Sequence, residues 1–202
     1  MMADSQANSR LSAALAVDLS QFPKDALARW LPQIEDADLR TDLMNNPRLK
    51  NRIQIGLMAA NGLAEDAEHE VGDEEPILLW LLDQDISKLC QSLGNAWLSN
   101  ALAELMVSGG LAERYPDLQR GSLIKALKFR DAAPAANTVS QTAKPAEEGR
   151  SCLLAFLSRL PPATDKALRV RLQLPPTIVA EPQRAVFCRH LLSTLVEAPE
   201  RK

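Results

Sequence analysis

The chain has 202 residues, 46% of them apolar, and a formal net charge of −3. That length can bury about 70% of the unfolded surface, and the apolar content excludes a wholly disordered chain. The acidic balance argues against a general nucleic-acid binder, which concentrates Lys and Arg to displace counterions from phosphates.

Aromatic residues make up only 4%, so Leu, Ala, Ile and Val must build the core. The N-terminus lacks a basic stretch leading into an apolar one, as a secretory signal requires. The longest apolar run, Ile77-Leu-Leu-Trp-Leu-Leu82, falls well short of the about twenty residues that cross a bilayer. Cys90, Cys152 and Cys188 are odd in number and lack C-x-x-C spacing, which fits reduced thiols in the cytosol. A soluble cytoplasmic protein without membrane insertion is expected.

The first predicted helix follows Gln21-Phe-Pro23, with Leu27, Trp30, Leu31 and Ile34 at core-facing spacing and Pro32 near its end. A second spans Asp36 to Asn45. Pro47 starts a third, whose face holds Leu49, Ile53, Leu57 and Met58. Within it Arg52-Ile-Gln-Ile-Gly56 alternates, leaving a strand as the other reading. Glu65 to Glu75 reads as a loop closed by Pro76. Ile86, Leu89, Cys90, Leu93, Trp97, Ala101, Leu102 and Leu105 then follow one amphipathic helix to a stop at Gly109-Gly110. Another turn spans Leu111 to Tyr115, and another helix Asp117 to Arg130.

Asp131 to Gly149 is rich in Ala and Pro, with Val139 as its one sizeable aliphatic residue. It reads as a mobile loop. A helix-like run at Cys152–Leu160 follows. Leu168-Arg-Val-Arg-Leu-Gln-Leu-Pro175 is the longest strict apolar/polar alternation and predicts a half-buried strand that must find a partner. Pro182 opens a last helix to about Val196. The fold class expected is mainly α: a compact multi-helix domain over 1–202, with one or two strand-like segments near the C-terminus and an interruption at about 131–149.

The chemistry-bearing clusters point to no reaction. His69-Glu70 lacks the second histidine of a helical zinc site, and the carboxylates from Glu65 to Glu75 miss the spacing of a calcium loop. They read as a solvated acidic loop. Cys188 and His190 lie two apart, about 200° around a helix axis, and do not face each other. Phosphate loops and a G-x-S-x-G serine are absent from the sequence. Trp80 and Trp97 read as core residues. Arg169 and Arg171, on the polar face of the alternating stretch, are the candidate partner-contact surface. No catalytic residue, cofactor or metal ligand is expected.

Three segments resemble the SctK family, with YscK and PscK among its members, of bacterial type III secretion. The first is Leu15-Ala-Val-Asp-Leu-Ser-Gln-Phe-Pro-Lys-Asp-Ala-Leu-Ala-Arg-Trp-Leu-Pro32. The second is Leu89-Cys-Gln-Ser-Leu-Gly-Asn-Ala-Trp-Leu-Ser-Asn-Ala-Leu102, similar to the family's long helix with its Leu-Gly step. The third combines Leu154–Leu157, Leu168–Pro175 and Glu181-x-Gln-Arg184. The resemblance implies a non-enzymatic adaptor beneath the injectisome's inner-membrane ring. It would link the SctQ pods, and through SctL the SctN ATPase, to the cytoplasmic domain of SctD. Two alternatives from other classes are a secretion chaperone, whose fold needs several strands, and a small metal-dependent helical enzyme using the acidic loop.

Overall fold

The computed structural model describes residues 31–60, 71–138, 140, 142–175 and 180–197, with Leu11, Leu15 and Ala28. Those residues form helices α1 (Ala37–Asn45), α2 (Pro47–Ala60), α3 (Glu75–Leu82), α4 (Ile86–Trp97) and α5 (Ser99–Ser108). They continue with α6 (Leu111–Arg114), α7 (Arg120–Leu127), α8 (Pro145–Leu157), α9 (Pro162–Arg171) and α10 (Pro182–Glu197). Single 3-10 turns lie at Gly72–Glu74 and Ala136–Thr138. The mainly helical class is as expected. Most of the first predicted helix and the acidic stretch up to Glu70 lie outside the described residues.

Local chemistry explains where these helices start and stop. Asp36 accepts hydrogen bonds from the amides of Asp38 and Leu39 at 2.8 and 3.0 Å, capping α1. The Asn46 side chain takes the Arg48 amide at 3.0 Å, so one residue ends α1 and starts α2. Asp85 caps α4 through the Lys88 amide at 3.1 Å. Gly109, at φ 79°, ends α5 in the left-handed region that favours glycine. Arg52–Gly56 is helical within α2, so the strand alternative there does not form.

The chain gathers into two compact units, Met1–Glu75 with Pro161–Pro176, and Pro76–Leu160 with Thr177–Lys202. In the first, α1 and α2 pack against each other, and Met44 at the end of α1 is buried. The same unit holds the principal correction to the sequence reading. Leu168–Leu174 is not a strand: Leu168 to Arg171 is the last turn of α9, and the chain then closes on itself. The Leu174 amide reaches the Arg169 carbonyl at 2.8 Å and the Gln173 amide reaches Val170 at 3.1 Å. Gln173 stands at φ 55° between them, which makes a Schellman cap with Pro175 just beyond it. Alternation misled because Leu168 and Leu172 share a helix face while Val170, on another side, is also buried.

In the second unit α8 crosses α4 closely, α10 packs along α8 and touches α4, and α7 lies against α4 and α5. Leu78, Leu81, Leu93, Leu98, Leu102, Leu153, Leu157 and Leu192 are fully buried there. Each contributes about 1.5–3 kcal/mol by leaving water. The predicted long helix over Ile86–Leu105 is two helices jointed at Leu98, whose amide still reaches the Gly94 carbonyl at 2.9 Å. Asp131–Gly149 also differs from the expected loop. Its last part, from Pro145, is the first turn of α8. The Asn100 side-chain amide donates to the carbonyls of Arg130, Ala133 and Pro134, and Tyr115 Oη donates to Ala143 O at 3.0 Å. Both ends of the remaining stretch are therefore tied to helices before it.

Candidate interaction site

The second unit is held by two devices that involve residues distant in sequence. At the α4–α8 crossing, a Cβ on Gly94 would lie 1.6 Å from the Pro145 carbonyl oxygen, and one on Gly149 would lie 1.8 Å from that of Cys90. Both obstructing atoms are backbone, so only glycine at both positions permits this approach.

The second device is Arg184, at the start of α10. Its Nη1 donates to Glu148 of α8 at 2.5 Å, its Nε pairs with Glu181, and its guanidinium lies 4.8 Å from the ring centre of Trp97. One side chain thus ties α4, α8 and α10. Burial by itself would lower the Arg184 pKa, but the hydrogen bonds and charges of Glu148 and Glu181 overcome it and raise it. Trp97 also meets Phe187 edge to face at 5.1 Å, as a core residue should.

Cys90, Cys152 and Cys188 are free thiols buried on these same three helices. Burial raises Cys152 to about 12 against the opposing pull of Arg184, and raises Cys90 and Cys188 as well. Cys188 is a core residue, while His190 is exposed. The described residues hold no group of three or more His, Cys, Asp or Glu able to bind a metal.

Beside this frame lies an open groove of about 340 Å³. One wall is α4, which presents Lys88, Leu89, Ser92 and Asn95, neighbours at three- and four-residue spacing. Opposite are Ser122, Lys125 and Ala126 of α7, with Phe129 one turn on. Leu191 and Leu195 come from α10, and Trp80 from α3. Trp80 is half-buried in this lining and is not a closed core residue like Trp97.

The groove carries both polar and charged groups. Asn95 is 3% exposed, and its Oδ1 accepts a long contact from Gln91 at 3.4 Å. Lys88 pairs with Asp85 at 3.4 Å. The Asp85 carboxyl is lowered mainly by the Lys88 backbone amide, a capping effect that holds it charged. The spacing Ser122, Lys125, Ala126, Phe129 was readable as a helix face, but only the fold sets it opposite Asn95.

The sequence-selected arginines do not form a surface together. Arg169 is 5% exposed; its Nε pairs with Asp165 at 2.5 Å and its Nη1 donates to Pro175 O at 3.1 Å. It closes the end of α9. Arg171, two residues on and so on a different side of the helix, is exposed. The pairing on one face required a strand, and α9 removes it. No described helix is long and apolar enough to cross a membrane. Comparisons with family models, curated proteins and solved structures find no match.

Proposed function

We propose that this chain is a non-enzymatic structural adaptor of a bacterial type III secretion system, similar to SctK. In that role it works in the cytoplasm at the inner membrane, bound to the apparatus. It connects SctQ-type pods, and through SctL the SctN ATPase, to the cytoplasmic domain of an SctD-type ring protein.

The observation that carries this reading is the position of Gly94. The Leu93-Gly94 step belongs to the Leu89–Leu102 stretch that resembles the family, and the α8 backbone presses on it. The likeness therefore falls on residues that build the frame of a helical unit, as expected for a rigid connector. The described residues contain no strand, whereas the chaperone alternative calls for several.

Co-expression with SctQ-type and SctD-type cytoplasmic domains, followed by size-exclusion chromatography, tests the adaptor. Binary complexes with each domain are expected. Capture of neither partner would overturn the assignment.

A further inference from the structure

We propose that the groove between α4, α7 and α10 is a docking site for an acidic amphipathic helix of a partner protein. Its floor supplies the apolar half of that match. Trp80, Leu89, Phe129, Leu191 and Leu195 line it, and such a floor takes side chains presented at i, i+3/i+4 and i+7 by a helix. At about 340 Å³ it has room for a few anchors. The groove is open, and a helix laid along it would cover the floor.

Charge selects the partner. Residues 118–130, which include α7, carry Arg120, Lys125, Lys128 and Arg130 and no Asp or Glu. Lys125 faces the groove, and no carboxylate among the described residues pairs with it. On the α4 wall, Lys88 is offset by Asp85. The uncompensated charge at the groove is therefore positive, although the whole chain is acidic. Glu or Asp flanking the apolar stripe of a bound helix would complement it, and Lys or Arg there would be repelled. Asn95, buried beside Ser92 on the α4 wall, adds a polar group that can fix the register of the bound helix. The groove's chemistry would select such a helix whatever assembly the chain serves.

Three fluorescein-labelled peptides of about fifteen residues, sharing one leucine face and flanked by Glu, Gln or Lys, provide the test. They are titrated by anisotropy against the full chain and against a folded Lys125→Glu variant. The Glu peptide should bind roughly tenfold more tightly than the Lys peptide, with affinity falling as salt rises. Lys125→Glu should abolish or invert that order, and amide shifts should map to Ser122–Phe129 and Leu191–Leu195. The idea fails if no peptide binds, if Glu and Lys peptides bind equally, if the variant keeps the preference, or if the shifts lie elsewhere. Sedimentation showing a dimer that Lys125→Glu dissolves would assign the groove to a second copy of this chain and overturn the helical-partner proposal.

Discussion

Gly94 and Gly149 sit within helices, where glycine ordinarily costs about 1 kcal/mol relative to alanine. Here the contact sign is reversed, because each added methyl would meet a carbonyl oxygen that cannot swing aside. Gly94→Ala and Gly149→Ala should each destabilise the chain by about 3 kcal/mol or more, read as a fall in the urea midpoint. Gly56 in α2 has nothing within 4 Å of its would-be Cβ, so Gly56→Ala should raise stability by about 0.5–1 kcal/mol. Equal effects at all three sites would contradict the crossing geometry. Arg184 makes a second residue-scale case. Arg184→Met should cost about 3 kcal/mol by leaving Glu148, 17% exposed, without its partner. Arg184→Lys should recover little, since a single ammonium does not reproduce a guanidinium fork spread over two carboxylates and a ring.

Helix α9 shows how one element can invert the meaning of a motif. As a strand, Leu168–Leu174 would set Arg169 and Arg171 side by side toward solvent. As a helix ending in a Schellman cap, it turns Arg169 inward onto Asp165 and the Pro175 carbonyl and leaves Arg171 outside. Arg169→Ala should therefore cost about 2–4 kcal/mol in thermal or urea unfolding. Arg171→Glu should stay within about 0.5 kcal/mol of the parent. A charge-reversal test of partner contact belongs on Arg171 alone, because Arg169→Glu would set a second carboxylate beside Asp165 and report unfolding. Similar losses for Arg169→Ala and Arg171→Glu would argue against the buried latch. At this scale much was legible: Asp36 and Asp85 mark helix starts by accepting amide hydrogen bonds on their side chains, and Gly109 marks a helix end by its positive φ. The joint at Leu98 was not, since Leu93, Trp97, Ala101 and Leu102 keep helical spacing across it.

Across the molecule, the three buried thiols link stability to pH. Cys152 rises to about 12 from the usual 9.0, and Cys90 and Cys188 shift in the same direction through burial. Below pH 9.0 the thiols are protonated in both folded and unfolded chains, and this contribution is fully present. As pH rises further the unfolded chain releases those protons while the folded chain holds them, so stability falls, for Cys152 up to about pH 12. The slope is at most about 1.4 kcal/mol per pH unit for each thiol. Urea midpoints measured at about pH 8 and about pH 10.5 should show a decline that is shallower in Cys152→Ala. Identical declines would mean that Cys152 ionises normally in the folded state.

The sequence by itself determined the helical class, the helix boundaries at Asp36, Pro47, Gly109 and Pro182, and the core character of Trp97 and Cys188. These depend on apolar spacing and on backbone groups satisfied within a few residues. Tertiary structure alone decided the α4–α8 notch, the Arg184 tie, the burial of Arg169 and the groove with Lys125 on its wall. Glu148 and Arg184 lie 36 residues apart. Ser122 and Asn95 come to one groove only because α7 packs on α4. Periodicity records which positions leave water, and it is silent on which distant atom each one meets.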